Sequence, residues 1–238
     1  MDKINRNLII TNQTFNQKAL SFYKDLLLPN VADIGLSVIH PWKDEEARKY
    51  MGAFYNRFYQ DTSKRVFIFG INPGRFGSGV TGVPFTDPIM LEEVCDIKNN
   101  LPKKRELSSS FIYECISAFG SARTFFKHFY LTAISPVGFT KSGVNFNYYN
   151  TQESMDVLRS FIIDTIQKQI DIGARRDVVI ILGTGKNLKV FKKINKEYGF
   201  FEEVYALPHP RYVLQYQRKN KGKYIRLYRQ TLLKSLQK

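Results

Sequence analysis

The sequence predicts a three-layer α/β/α sandwich built on a short, mostly parallel sheet of about four strands, and three observations predict it. Four short apolar runs, at 65–69, within 125–134, at 177–182 and at 203–207, are bounded by turn residues, as strands are. Between them lie stretches with apolar residues at helical spacing. Strands that alternate with helices form a parallel sheet covered on both faces. The third observation is size: 238 residues, 43% of them hydrophobic, bury a full core as one domain spanning 1–238, with no long linker or low-complexity tract.

The elements follow in order. Residues 1–62 read as a helical part packed on the rest. Thr11 to Leu28 carries Phe15, Ala19, Phe22 and Leu26 at helical spacing until Pro29 stops it. Val31 to Trp42 is irregular, and His40 within it reads as a satisfied structural histidine. Asp44 caps a second helix with Ala47, Met51, Phe54 and Phe58 on one face. Arg65 to Phe69 is too uniformly apolar to be half-exposed. Asp87 and Pro88 start a helix with Leu91, Val94 and Cys95 inward. Lys98 to Glu106 is a polar connection, its Lys103, Lys104 and Arg105 open to either solvent or phosphate. Ser108 and its neighbours cap a helix carrying Ile112, Cys115, Ile116 and Phe119. Phe125 to Ile134 alternates as a second strand and ends in Ser135-Pro136, with His128 structural.

Phe139 to Asn150 is a polar, aromatic loop at that strand's C-terminal end, where open α/β sheets collect ligands; whether it touches one stays open. Helix Thr151 to Ile172 keeps Met155, Leu158, Ile162, Ile166 and Ile170 in register. Asp177 to Leu182 is the third strand. Gly183 to Lys186 is half a phosphate-loop motif, better read as a tight strand-to-helix turn, and Asn187 to Tyr198 is a basic amphipathic helix. Glu203 to Leu207 is the fourth strand. Pro208-His209-Pro210-Arg211 holds His209 on a stiff, extended backbone, which suits either a shaped turn or a catalytic imidazole. A helix over 221–236 turns Ile225, Tyr228, Leu232 and Leu236 inward.

Composition narrows the function. No apolar run approaches the roughly 18 residues of a membrane span, and MDKINRNLII lacks the apolar core of a signal peptide, so a cytoplasmic protein is expected. Cys95 and Cys115 are isolated from other ligands, so neither metal nor cofactor is expected. The chain carries 36 basic and 21 acidic residues, a net charge of +15 that favours a polyanionic partner. No acidic residue follows Glu203, whereas Arg211, Arg218, Lys219, Lys221 and Lys223 come soon after His209, interleaved with Tyr212 and Tyr216. A solvated helix accounts for the last four charges. The cluster beside His209 points to nucleic acid.

Chemistry concentrates in Gly70 to Phe85, GINPGRFGSGVTGVPF, directly after the first strand. Five glycines let bare backbone approach a flat ligand, Asn72 offers an uncharged amide, and Phe76 and Phe85 offer ring faces. Neither common phosphate fingerprint occurs. The run resembles the first motif of the uracil-DNA glycosylase superfamily, most nearly its single-strand-selective monofunctional (SMUG-type) branch, with G-[MI]-N-P-G, a bridge and T-G-V-P-F. DVVIILGTG (177–185) resembles the branch's late strand and turn, and LPHPR (207–211) its second motif; the likeness covers roughly 65–232.

That resemblance implies strand order 2-1-3-4 and a monomeric DNA-repair hydrolase, nucleoid-associated in a bacterium, that flips a damaged base out of DNA and cuts its N-glycosidic bond. It implies that Asn72 orients water, His209 hydrogen-bonds the departing base, and Phe85 stacks on it. Ile71, Pro73, Gly74 and Phe76 would complete the pocket, while Arg211, Tyr212, Arg218, Lys219, Lys221 and Lys223 would meet the DNA. The isolated cysteines exclude the branches that carry iron–sulfur clusters. One departure matters: the branch's second strand ends N-[LI]-C-P, whereas this chain reads Ala133-Ile134-Ser135-Pro136 and lacks the asparagine that reads uracil. Asn145 or Asn147 is the candidate replacement. Also open are a nucleic-acid-binding module without catalysis and an enzyme of free nucleotides or nucleosides.

Overall fold

In the computed structural model, which describes residues 13–238, helix α1 (Phe15–Lys24) begins where the Gln17 side chain accepts the Thr14 N–H at 3.0 Å. Phe15, Ala19, Phe22 and Leu26 are all buried, as their spacing predicts, although the helix stops at Lys24. Residues 11 and 12 of the predicted helix, like the N-terminal stretch read for a signal peptide, lie outside the described residues. Strand β1 (Ser37–Ile39) sits in the segment expected to be irregular. Helix α2 (Glu45–Phe58) follows, its cap Asp44 accepting the Ala47 N–H at 2.8 Å.

Strand β2 (Arg65–Gly70) is buried throughout. Arg65 at its start keeps its charge in the core because Asp61 pairs with it at 2.7 Å, the Phe126 carbonyl accepts from Nε at 2.8 Å, and the rings of Phe15 and Tyr59 flank the guanidinium. Then come α3 (Ser78–Thr81), a single turn inside the glycine-rich loop, and α4 (Pro88–Glu93), with Asp87 accepting two amide N–H groups as its cap. Because α4 ends at Glu93, Val94 points outward, against expectation. Helix α5 (Leu107–Phe119) starts two residues earlier than a cap at Ser108 implies: Glu106 is its cap residue and Ser108 lies buried within it.

The run expected to be a single strand over 125–134 divides into α6 (Ala122–His128) and β3 (Phe129–Ala133). Ser121 accepts the Thr124 N–H at 3.1 Å and starts a helix, and Phe125 and Phe129 stack with ring centroids 5.0 Å apart. An unbroken apolar run satisfies both periodicities, so the cap decides. Strands β4 (Gly138–Lys141) and β5 (Val144–Phe146) form a hairpin through Ser142 and Gly143, both at positive φ. The remaining elements are α7 (Gln152–Gly173), β6 (Ala174–Leu182), α8 (Lys186–Tyr198), β7 (Glu203–Leu207), α9 (Pro210–Tyr216) and α10 (Lys221–Ser235). Strand β6 begins directly from α7, three residues before the predicted Asp177.

The main sheet is parallel, in the order β3-β2-β6-β7, which is the 2-1-3-4 order expected for the four predicted strands. Alternation along β2 divides the core between two faces. Phe67 and Phe69 meet Phe15 and Phe191 on the α1 and α8 side, while Ile68 joins Ile112, Cys115, Tyr228 and Leu232 on the α5 and α10 side. A second, antiparallel sheet, β1-β4-β5, stands where the sequence predicts only irregular segments. Among the described residues no helix is long and apolar enough to cross a membrane.

The parallel register aligns the strand ends that hold the candidate residues. Gly70 pairs with Ala133, and Leu182 with Leu207, so the segments carrying Asn72, Ser135-Pro136, Gly183 and His209 leave the sheet along one edge. The second sheet clamps the glycine-rich loop from outside: the Phe146 carbonyl accepts from the Asn72 side chain, and Asn145 Oδ1 accepts the Arg75 N–H at 3.0 Å.

Candidate active site

At that edge lies a cavity of about 200 Å³, lined by Ile71, Asn72, Pro73, Gly74, Phe85, Ala133 and His209 among others. It is smaller than the roughly 300–1,000 Å³ clefts that take drug-sized molecules, and fits a single flat ring. Phe85 supplies a half-buried ring beside it, with the His209 ring centroid 6.1 Å away. The position is strained, since a bulky residue at φ 55° is uncommon. Gly70 makes it possible: a Cβ there would lie 2.6 Å from Phe85 Cζ and 2.8 Å from Cε2.

Asn72 is immobilised at every polar atom. Nδ2 donates to the carbonyls of Pro73 at 3.2 Å and Phe146 at 3.3 Å, and Oδ1 accepts the Tyr148 N–H at 3.2 Å. This pattern fixes which end of the amide is oxygen and leaves Oδ1 one lone pair for a ligand.

His209 is the cap residue of α9, with extended backbone at φ −61° and ψ 138°. Its Nδ1 accepts the Arg211 N–H at 3.2 Å, so the ring proton resides on Nε2. Burial, reinforced by the Arg211 charge, pulls the imidazole down to about 4. At neutral pH the ring is therefore an uncharged Nε2–H donor.

Sequence reasoning missed several lining residues. Tyr23, Pro41, Trp42 and Met51 come from the N-terminal helical part. The His40-Pro41-Trp42 run is a signal of sorts: its proline and tryptophan reach the cavity, whereas His40, contrary to expectation, is not satisfied, both ring nitrogens being buried without a hydrogen-bond partner among the described residues. Glu106 is the other omission, hidden in what read as a polar connection. It lines the cavity against Gly77, where a Cβ would stand 2.0 Å from Oε2, and among the described residues its carboxyl joins no hydrogen bond or ion pair. Burial, helped by Asp87 and opposed by Arg211, pushes it up to about 7.

Contrary to expectation, Phe76 does not line the cavity. It is 42% exposed outside, with Lys104 Nζ 3.8 Å from its ring centroid and the Arg75 guanidinium at 5.2 Å. Asn145 and Asn147 both reach the cavity; Asn145 has its oxygen engaged by Arg75, and the Asn147 side chain makes no hydrogen bond within the described residues. Arg211 sits on the rim, and Tyr212 and Tyr216 are exposed beyond it with ring centroids 5.8 Å apart. Arg218, Lys219 and Lys223 are exposed, while Lys221 pairs with Glu114 at 2.7 Å.

Residues 57–233 match the family model described as Uracil DNA glycosylase superfamily. The chain belongs to the uracil-DNA glycosylase superfamily. Among solved structures it is similar to the crystal structure of wild-type Pedobacter heparinus SMUG2, with 41% identity, a TM-score of 0.88, and coverage of 95% of this chain and 99% of that one. That likeness supports membership of the SMUG-type branch of the superfamily. No curated protein matches. The cavity residues Tyr23, Pro41, Trp42 and Met51 all precede the matched region.

Proposed function

We propose that this uracil-DNA glycosylase-type protein is a monofunctional DNA glycosylase that hydrolyses the N-glycosidic bond of uracil or a related damaged base flipped out of DNA. The observation that carries this reading is the convergence of a fixed amide oxygen, an imidazole N–H donor and an aromatic plate on one ring-sized cavity. Flipping costs a few kcal/mol, least for an unpaired base. Phe85 offers the flipped ring a stacking face.

Cleavage moves the bonding pair of the C1′–N bond onto the base and leaves positive charge on the sugar. Asn72 Oδ1 accepts a hydrogen bond from a water and aims its oxygen at C1′. An amide is a poor base, so the step depends on stabilising the departing anion. His209 Nε2–H does this by donating to the base oxygen that gains charge. Water's oxygen bonds to C1′, and its displaced proton neutralises the base. Among the described residues no lysine lines the cavity, which supports hydrolysis by water over a covalent amine intermediate.

One observation favours a second reading, a DNA-binding module that has lost catalysis: the cavity presents the methyl group of Ala133 in place of the branch's base-reading amide. Both readings take DNA as the partner, with the exposed bases from Arg211 to Lys223 as its contacts. A panel of oligonucleotides carrying uracil, 5-hydroxymethyluracil, xanthine or hypoxanthine, single- and double-stranded, separates the readings. Alkali-dependent nicks at one or more of these bases are expected. Salt-dependent binding with no nick on any substrate would favour the second reading.

A further inference from the structure

The turn Gly183–Gly185 and the first residues of α8 have no part in the chemistry above, yet hydrogen bonds lead from them to Asn72 and to the backbone just before His209. In one direction, Asn187 Nδ2 donates to the Leu182 carbonyl at 3.1 Å, and Asn187 Oδ1 accepts the Tyr148 hydroxyl at 2.9 Å. The Tyr148 backbone N–H in turn donates to Asn72 Oδ1. In the other direction, the Gly183 N–H donates to the Leu207 carbonyl at 2.7 Å, extending the β6–β7 ladder to the residue two before His209. The Tyr228 hydroxyl holds the intervening Pro208 carbonyl.

Both side chains in the first arm are deeply buried, Tyr148 at 0% and Asn187 at 2% exposure. A buried polar pair is costly unless satisfied, and here the Tyr148 hydroxyl and both ends of the Asn187 amide are paired. Packing alone would be served by phenylalanine and leucine. The polar version gives the 147–149 segment a single position, and Asn72 reads that position through the Tyr148 amide.

We infer that Tyr148 and Asn187 are positioning residues, a buried relay by which the first turn of α8, anchored to the end of β6, holds the water-orienting amide of Asn72 in place. The inference rests on the glycosylase reading for its kinetic consequence and on geometry alone for its structural one. Neither residue touches the base. Their removal loosens Asn72 without altering the stacking face or the DNA-binding rim.

The test compares Tyr148→Phe, which keeps the ring in the core, with Asn187→Ala, in wild-type and Asn72→Ala backgrounds. Single-turnover base release is expected to fall about tenfold in each relay variant, with unchanged affinity for DNA carrying a non-cleavable 2′-fluoro nucleotide at the target base. In the Asn72→Ala background, Tyr148→Phe is expected to add no further loss, because its effect passes through that amide. Equal loss in both backgrounds, or wild-type rates in Tyr148→Phe, would overturn the relay.

A second measurement needs no catalysis. The side-chain NH2 resonances of Asn72, assigned by their loss in Asn72→Ala, are expected to shift and to exchange faster with solvent in Tyr148→Phe. Unchanged resonances would refute the relay even if the wild type proved to be an enzyme. A wild type that released no base would count against the proposed function, and the resonances would still judge the relay.

Discussion

The inner wall of the cavity and its rim are built on opposite plans. On the inner wall, Asn72 has each polar atom engaged by backbone groups, and His209 has one nitrogen held so that the other must donate. At the rim stands Arg211, and beyond it Arg218, Lys219 and Lys223 are exposed on the turn after α9 and on α10; none of the four joins an ion pair among the described residues. The contrast teaches where energy is sensitive to detail. A preorganised donor or acceptor in a dry site counts for far more than a solvated charge, so under the proposed function the wall is expected to govern rate and the rim affinity.

Asn72→Ala and His209→Ala probe the wall most severely. Each is expected to lower single-turnover base release by a factor of about 10²–10³, the loss of about 2.7–4 kcal/mol usual when one preorganised polar group is removed, with DNA affinity nearly unchanged. Comparable losses from rim substitutions would erase the distinction between the regions. Phe85→Ala should cost about 1–3 kcal/mol, the range for one stacking contact, seen as weaker binding of flipped-base DNA. Gly70→Ala should equal or exceed it, because the new methyl collides with the ring; a Gly70→Ala protein with intact binding would show that the ring's seat is not needed.

Glu106 tests the wall by pH. Its folded-state value of about 7 lies above the ordinary 4.5, so the folded protein holds this proton more tightly than the unfolded chain does. The resulting stability is present below about 4.5 and is lost as pH rises through 7. Glu106→Gln should therefore raise Tm by several degrees at pH 8 and progressively less toward pH 5, with each pKa unit worth about 1.4 kcal/mol. A gain that did not vary with pH would mean that the carboxyl is solvated. The smallest effect belongs to the rim: Arg218→Ala with Lys219→Ala should weaken DNA binding alike on all sequences and reduce the salt slope by roughly one per lost phosphate contact, measured by titration at several salt concentrations.

The sequence read well where local pattern and long-range position coincide. Three of the four predicted strands are apolar runs too short for helices, and their ends deliver Asn72 and His209 to the same edge because parallel register leaves little choice. It read poorly where pattern is ambiguous or contacts are distant. Phe125–Phe129 fits two periods, and the Ser121 cap chose the helix. The hairpin of β4 and β5 hides in a polar stretch, its stability coming from β1 a hundred residues away. Glu106 carries no local mark of its burial, which Gly77 creates from another segment. Phe76 looked equivalent to Phe85 in composition; only Phe85 has a glycine on β2 opposite its ring.

Trp42, Pro41, Met51 and Tyr23 close one side of the cavity from a portion of the chain that precedes the family-matched region. This wall and the two residues that the proposed function assigns to the reaction are thereby supplied by different lengths of polypeptide. If the proposed function holds, exchanging this lead-in between relatives should change which bases fit the cavity while leaving Asn72 and His209 in place, and a fragment trimmed to the family core would lose a wall of its own pocket.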